Sequence, residues 1–422
     1  MIEFRDYQEN IISEGTAILK SKRFLYLAME VRTGKTLTSL GIADNLTEGN
    51  VLFVTKKKAI SSIENDYKLL KPNYELHVIN YESLHKIPEQ KWDLIVFDEA
   101  HSMGAFPKPS NRAKGAKALV QKHQPFVIML SGTPTPESYS QMYHQVFGIP
   151  GNPFASYKNF YRFADDYVKV TQRRINGFML NDYSNGLFTI IEKMAPYTIS
   201  YTQQEAGFKA KIHEEILYVD LKQSTYDLIR KLSADLVIEG NEEVLMAETG
   251  VKMMSKLHQL YSGTVKFESG NSMIVDYTKA EFIRKRFKDS KIGIFYKFKE
   301  EYNAIKEVFG SDVCDNLDDF DNGDCQAIAL QIVSGREGIS LRNADFIVFY
   351  NIDFSATSYW QARDRMTTKN RLENKVYWIF SRNGIENDVY KAVVKKKDYT
   401  LKHFNNDREN RDSSIPLRRI RR

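Results

Sequence analysis

Short uninterrupted runs of apolar residues alternate with helical patterns in two parts of the chain. Apolar runs that do not alternate with polar residues are typical of strands buried on both faces, and hence of parallel sheets covered by helices. The first set comprises residues 24–28, 51–54, 94–97 and 126–130, and the second comprises residues 292–296, 327–333, 346–350 and 376–380. Two such sets predict two α/β domains.

The segments around these runs set the predicted domain boundaries. We expect a first lobe over residues 1–205, with an aromatic-rich insertion after residue 150. A second lobe is expected over residues 206–400, with a mainly helical insertion at about 222–290. Residues 401–422 are predicted to form a basic C-terminal tail because the apolar pattern fades there and arginines accumulate.

The composition is that of a globular protein large enough for two cores. The 422 residues are 42% hydrophobic and 27% charged. The net charge of +6, from 60 Lys and Arg against 54 Asp and Glu, neither requires nor excludes a nucleic-acid partner. Cys314 and Cys325 fit neither a zinc site nor a disulfide framework, so we expect free thiols. With no signal peptide and no membrane-spanning run, the expected location is the cytoplasm.

A glycine–lysine–threonine sequence lies between a predicted strand and a predicted helix. Gly34, Lys35 and Thr36 occupy the place where a phosphate-binding loop meets its helix. There the backbone N–H groups receive phosphate oxygens, the lysine adds a positive charge and the threonine hydroxyl ligates Mg²⁺. The full pattern has a glycine six residues before the lysine, where this chain has Met29.

Adjacent carboxylates come directly after another buried strand of the first set. Ligands of an α/β sheet gather at the carboxyl ends of its strands. We therefore expect Asp98 to hold Mg²⁺ through water and Glu99 to orient the attacking water. Ser131, Gly132, Thr133 and Pro134 follow the next strand, where by themselves they would indicate only a turn.

The second set of strands carries its own candidate residues. Residues 334–339 follow a predicted strand, and their glycines permit close approach to a phosphate or nucleotide. Gln361 and Arg365 are four residues apart on a predicted helix and should share a face. An arginine delivered there could stabilise transition-state charge on a γ-phosphate.

Other kinds of site are not supported. Residues 318–324 resemble a calcium loop only superficially, because Phe320 and Ala329 fall where ligands are required. The histidines show no metal spacing, and no convincing Ser/His/Asp nucleophile set is present.

In this order, the motifs resemble those of superfamily-two helicases, most closely the Swi/Snf-type branch in a compact, phage-like form. The resemblance covers roughly residues 1–395 and is carried by Phe4-Arg5-Asp6-Tyr7-Gln8, Met29 to Thr36, Val54-Thr55-Lys56-Lys57, Asn80-Tyr81-Glu82-Ser83-Leu84, Asp98-Glu99-Ala100-His101, Leu130-Ser131-Gly132-Thr133-Pro134, Ser334 to Leu341, and Gln361 to Arg365. It implies two RecA-like lobes, an α/β helicase core with helical insertions, that close on ATP.

The resemblance also implies a role for each matching residue. Hydrolysis would depend on Lys35, Asp98, Glu99, Gln361 and Arg365. Nucleotide binding would involve Arg5, Gln8, Thr33, Gly34, Lys35, Thr36, Gly338 and Arg365, with Mg²⁺ held by Thr36 and Asp98. Nucleic acid would contact Lys56, Lys57, Ser334, Gly335 and Arg336, and coupling would pass through His101, Ser131 and Thr133.

One position departs from the family pattern. The arginine that normally serves as the arginine finger is replaced by Thr368. Arg365 is the favoured substitute, and Arg363, Lys369 and Arg371 are the alternatives.

The function implied is an ATP-dependent DNA helicase or translocase that uses ATP and Mg²⁺. Its expected partner is duplex, fork or junction DNA, in phage replication or recombination, with other replication or recombination proteins as further partners; a monomer with no membrane association is expected. Two alternatives stay open: an RNA-directed member of the superfamily, and a nucleotide-gated DNA clamp with little hydrolysis, which the threonine at position 368 suggests.

Overall fold

Two parallel β-sheets of six strands each organise the chain, which confirms the predicted fold class. The structure is a computed structural model that describes residues 3–175, 178–209, 211–239, 243–247, 250–332, 340–368 and 371–395. The chain divides into two units after Gly207. Within the described ranges no helix is both long and apolar enough to cross a bilayer.

The first unit contains a sheet in the order β3-β2-β4-β5-β1-β8, in which every neighbouring pair is parallel. Its strands, with a separate antiparallel hairpin of β6 and β7, are β1 Phe24–Met29, β2 Asn50–Thr55, β3 Glu75–Asn80, β4 Leu94–Phe97, β5 Phe126–Leu130, β6 Thr171–Ile175, β7 Phe178–Asp182 and β8 Thr198–Tyr201. Its α-helices are Asp6–Lys22, Lys35–Leu46, Ile60–Leu70, Asn111–His123, Met142–Val146, Phe160–Tyr167 and Thr189–Met194.

The second unit repeats this design with the order β15-β16-β14-β17-β18-β9, again parallel throughout. Its strands, including two small antiparallel hairpins, are β9 Lys211–Val219, β10 Val237–Glu239, β11 Val244–Met246, β12 Thr264–Lys266, β13 Ser272–Ile274, β14 Ile292–Tyr296, β15 Val313–Cys314, β16 Ala327–Gln331, β17 Phe346–Phe349 and β18 Glu373–Ser381. Its α-helices are Gln223–Asp235, Gly250–Tyr261, Thr278–Arg286, Lys299–Phe309, Leu317–Asn322, Ala356–Arg363 and Glu386–Lys395.

All eight predicted apolar runs contain strands of these two sheets. The four strands without such a run, β3, β8, β9 and β15, are the edge strands of the sheets. An edge strand is only partly covered, so polar and apolar residues mix along it. In β9, for example, exposed and half-buried positions alternate over most of its length.

Each sheet is covered on both faces by hydrophobic side chains. Along β1, Phe24, Tyr26 and Ala28 enter one buried cluster, whereas the residues between them enter the cluster on the opposite face. The aromatic-rich insertion does not form a core of its own, because Phe154 and Phe163 join the first of these clusters.

The insertion in the second unit has a small separate core and is less helical than predicted. Helices and two hairpins enclose a cluster that includes Leu232 and Leu260. A buried polar contact ties it to the main sheet, since His258 Nε2 lies 2.7 Å from Asn351 Oδ1. Burial lowers the pKa of His258 to about 3, so the imidazole is neutral at physiological pH.

Candidate active site

The phosphate loop leads from β1 to the helix Lys35–Leu46. Its last residue, Gly34, has a φ of +80°, a conformation that glycine adopts without steric cost. A Cβ at this position would lie 2.4 Å from the side-chain nitrogen of Gln8. The buried Thr33 hydroxyl donates a hydrogen bond to the main-chain oxygen of Glu30 at 2.7 Å. Thr33 therefore shapes the loop, and Gly34 is required by its close packing.

The predicted adenine contact, Gln8, is buried against this loop. Its Oε1 accepts a hydrogen bond from the Arg5 backbone N–H at 3.1 Å. Its Nε2 donates to the Gly34 carbonyl and the Thr38 hydroxyl, both at 3.4 Å. The Tyr7 hydroxyl also donates to the main chain of the loop, at 2.9 Å. These contacts fix the first helix to the phosphate loop, and recognition of adenine by Arg5 and Gln8 stays a prediction.

The Asp98 carboxylate is buried and held in place by a neighbouring strand. Its Oδ2 accepts a hydrogen bond from the Thr55 hydroxyl at 2.8 Å, and its Oδ1 accepts one from the Glu99 backbone N–H at 2.9 Å. Burial raises the pKa of Asp98, as does the Glu99 charge, whereas the Lys35 ammonium opposes this shift. The structure thus brings Lys35 of the phosphate loop within electrostatic reach of Asp98.

Glu99 adopts a left-handed backbone conformation, with φ +50° and ψ +44°. For a residue with a Cβ this costs about 1–2 kcal/mol, and such strain is concentrated at functional sites. Glu99 Oε2 lies 3.3 Å from His101 Nδ1, which lies 3.0 Å from the Ser131 hydroxyl. The Thr133 backbone N–H donates to the same hydroxyl at 3.1 Å. The three predicted coupling residues therefore form one connected path from Glu99.

Three further hydroxyl groups position these residues, and the sequence reasoning missed their roles. Thr55 holds Asp98, as described above, and the Tyr81 hydroxyl donates to the main-chain oxygen of Asp98 at 2.5 Å. Tyr26 is buried in β1, and its hydroxyl donates to Gln145 Oε1 at 2.7 Å and also contacts the Ser131 side chain. A buried hydroxyl within an apolar strand needs a hydrogen-bond partner, so Tyr26 in the sequence could have indicated a polar contact at this position.

The predicted nucleic-acid contacts divide into two groups. Lys56 is half-buried directly after β2, and Lys57 is exposed at the start of the short 3₁₀ helix Lys57–Ala59. Both follow the carboxyl end of a strand that lies next to β4. The other predicted residues, Ser334, Gly335, Arg336 and the nucleotide contact Gly338, lie outside the described residues.

In the second unit, Gln361 and Arg365 do not lie on one continuous α-helix. The α-helix Ala356–Arg363 ends before Arg365, which belongs to the 3₁₀ turn Asp364–Met366. A 3₁₀ helix has three residues per turn, so the α-helical spacing behind the predicted shared face is not continued. Arg365 is half-buried, and its carbonyl accepts a hydrogen bond from the Leu341 backbone N–H at 2.9 Å.

Two protein-family models match the chain. The model described as type III restriction enzyme, res subunit, matches residues 1–136. The model described as helicase conserved C-terminal domain matches residues 310–369. The first match spans the phosphate loop, the adjacent carboxylates and Ser131, and the second spans Gln361 and Arg365. The two matches, one in each unit, support a superfamily-two helicase.

Two solved structures of the Sulfolobus solfataricus SWI2/SNF2 ATPase core are similar to this chain. One, a complex with dsDNA, is 15% identical over 94% of this chain and 92% of that chain, with a TM-score of 0.42. The other, the ATPase core domain, is 16% identical over 94% of this chain and 89% of that chain, also with a TM-score of 0.42. No curated protein matches this chain in sequence.

Among the candidate arginine fingers, Arg363 is already part of a packed network. Its guanidinium lies 2.9 Å from Glu214, and both groups are largely buried. The Glu214 carboxylate also accepts hydrogen bonds from the Tyr359 hydroxyl at 2.6 Å and from Trp378 Nε1 at 3.2 Å. Arg363 therefore anchors its helix to the strand β9.

Arg371 also makes its contacts within the second unit. Its guanidinium donates to the carbonyl oxygens of Ala344 at 2.8 Å and Asp345 at 2.9 Å, and its Nε donates to that of Glu373 at 3.2 Å. It thus joins a loop to the start of β18. Lys369 lies outside the described residues, and Arg365 as the finger stays a prediction.

Proposed function

We propose that this helicase is a DNA-dependent ATPase of the Swi/Snf type that couples ATP hydrolysis to movement on DNA. The main support is that the phosphate loop, Asp98, Glu99 and Lys56 all follow carboxyl ends of strands in one parallel sheet. This edge is where such sheets bind ligands. The proposed task is remodelling of forks or junctions during phage replication or recombination, with the helicase working as a monomer beside other proteins of those processes.

In this proposal the first unit supplies most of the groups that take part in ATP hydrolysis. Lys35 would neutralise phosphate charge at the helix N-terminus, and Glu99 would orient the attacking water. The buried Asp98 carboxylate beside Glu99, with Thr36 in the first turn of the helix Lys35–Leu46, suits a divalent cation because a cation favours the ionised carboxylate. Bound Mg²⁺ would neutralise charge on the phosphates. Arg365 would stabilise γ-phosphate charge in the transition state.

Nucleic acid would be bound mainly through its phosphates. Lys56 and Lys57 offer positive charge beside the strand that holds Asp98 through Thr55. Contacts of this kind are independent of sequence and sensitive to salt. A short covalent path therefore joins the proposed DNA contact to the hydrolysis site, since Thr55 and Lys56 are neighbours in the chain.

ATP hydrolysis is expected to be slow alone and to accelerate with DNA. Phosphate release should be measured with duplex, fork, junction and single-stranded DNA and with RNA, and strand displacement should be followed on the same substrates. DNA affinity should fall steeply between about 50 and 200 mM salt if several phosphates are contacted.

Each other outcome of this comparison points to a different function. Stimulation by RNA but not by DNA would identify an RNA-directed helicase. Salt-sensitive DNA binding with no stimulated phosphate release would identify a nucleotide-gated clamp. A lack of binding to every nucleic acid would contradict the proposed function.

A further inference from the structure

A surface pocket of about 590 Å³ lies beside the hydrolysis motif in the first unit. Three elements form its walls: the 3₁₀ turn Tyr81–Lys86 after β3, the 3₁₀ turn Ala100–Met103 after Glu99, and the start of the helix Asn111–His123. None of the residues predicted above to contact nucleotide or nucleic acid lines it. The pocket is therefore a distinct feature that directly adjoins the site of hydrolysis.

The pocket presents several hydrogen-bond donors to whatever enters it. Ser110 caps the helix by accepting from the Ala113 N–H at 3.1 Å, and the helix N-terminus carries partial positive charge. Arg112 adds a full positive charge at the same place. Ser102 also lines the pocket, and its hydroxyl oxygen is buried without a hydrogen-bond partner in the described part of the chain. A buried hydroxyl of this kind favours a polar ligand.

The Arg112 guanidinium is hydrogen-bonded to a carboxylate of the protein itself. Glu82 Oε1 accepts hydrogen bonds from Arg112 Nε at 3.1 Å and from its terminal nitrogen at 2.6 Å. Arg112 holds the pKa of Glu82 below its usual range, and the Lys56 ammonium adds to this effect. The Glu82 side chain is 61% exposed, and an exposed pair of this kind stabilises a fold only slightly. A phosphate, which can accept two parallel hydrogen bonds from a guanidinium, can therefore replace it.

We propose that this pocket binds a backbone phosphate of DNA, with Arg112 as its principal ligand and Glu82 as the internal group that the phosphate displaces. The inference rests on the proposed function and extends it, because its principal ligand, Arg112, lies outside the recognised motifs. The proximity of Lys56 to Glu82 supports a nucleic-acid strand as the ligand, since successive phosphates would then meet successive positive charges.

The pocket also has a direct connection to the hydrolysis site. The Tyr81 side chain is buried beneath it, and the Arg112 guanidinium lies 5.1 Å from the centre of the Tyr81 ring. The Tyr81 hydroxyl donates to the main-chain oxygen of Asp98 at 2.5 Å. A shift of Arg112 from Glu82 to a phosphate would therefore act on a residue that touches Asp98. Tyr81 is a positioning residue in this scheme.

The test is equilibrium binding of a labelled DNA duplex, measured by fluorescence anisotropy over a series of salt concentrations. Arg112→Ala should weaken binding about tenfold and make the slope of log affinity against log salt shallower by about 0.9, the value for one phosphate. Arg112→Lys should keep the slope and recover part of the affinity. Glu82→Gln should tighten binding about threefold, because it releases the guanidinium. The matched control is Lys114→Ala, which removes an exposed charge from the same helix outside the pocket.

Two results would overturn the proposal. One is an Arg112→Ala variant that binds DNA as Lys114→Ala does, with the same slope. The other is a Glu82→Gln variant whose DNA binding is weakened as much as that of Arg112→Ala. That result would mean that the Arg112–Glu82 ion pair only maintains the local structure. Thermal unfolding of each variant identifies any that fail to fold, and Glu82→Gln remains a test in that case. Phosphate release, measured in parallel, separates the proposed function from the proposed phosphate site. Wild-type protein that binds DNA without stimulated hydrolysis would contradict the proposed function. The DNA affinities of the variants would still show whether the pocket binds a phosphate.

Discussion

Glu99→Gln is expected to lower DNA-stimulated ATP turnover by about 10²–10³-fold, as is typical for the loss of one preorganised catalytic group. Glutamine is nearly isosteric but cannot carry the negative charge that orients the attacking water. The strained backbone at Glu99 and its contact with His101 hold the carboxylate in one place, so a neutral replacement should bind ATP and fail to hydrolyse it. Phosphate release and nucleotide affinity, measured together, check this.

A matched control and a companion variant sharpen that measurement. Glu89→Gln makes the same chemical change in the same unit at a side chain that is 94% exposed, and it should leave turnover near that of the wild type. Lys35→Ala should lower turnover to a similar degree as Glu99→Gln, because it removes positive charge from the phosphate loop. Normal stimulated turnover in Glu99→Gln or Lys35→Ala would contradict the site assignment.

Arg365→Ala is expected to lower turnover by orders of magnitude while ATP affinity stays nearly unchanged. An arginine finger acts mainly in the transition state, so its loss affects the rate more than ground-state binding. Thr368 is uncharged and cannot neutralise developing charge on the γ-phosphate, so Thr368→Ala should do little. Steady-state turnover and nucleotide affinity of both variants are the required measurements.

Arg363→Ala separates a finger from a structural arginine. It leaves the largely buried Glu214 carboxylate without its cationic partner, so the expected effect is a loss of stability of about 1–3 kcal/mol. A collapse of turnover in a stable Arg363→Ala or Lys369→Ala variant, beside near-normal turnover in Arg365→Ala, would move the finger to that residue. Near-normal turnover in all of them would mean that hydrolysis needs no finger from this segment.

The sequence predicted the strands buried on both faces because each is a continuous apolar run. It did not predict the edge strands, since β9 mixes charged and apolar residues and so lacks a distinctive pattern. The phosphate loop and the pair of carboxylates, Asp98 and Glu99, were recognisable because their chemistry requires particular residue types directly after a strand. The loop's Gly34 could be singled out in this way, whereas the Gln8 amide packed against it could not.

Partners that depend on tertiary contacts could not be predicted. Arg363 was a finger candidate by its place in the sequence, yet its partner Glu214 lies 149 residues away along the chain. The hydroxyl of Tyr81 reaches the main chain of Asp98, a contact that no spacing rule indicates. The end of the α-helix at Arg363 likewise carries no proline or glycine signal, so the 3₁₀ turn that follows was missed.

The separate hydrophobic clusters on the two sheets have a consequence for calorimetry. Each sheet has its own pair of buried faces, so each unit can lose its structure as its own cooperative step. A single melting temperature would then average two events. Because ATP would be held chiefly through the first unit, saturating nucleotide should raise the heat-absorption peak of that unit more than the other. The loss of stability caused by Arg363→Ala should lower the heat-absorption peak of the second unit. A single averaged midpoint would conceal this effect.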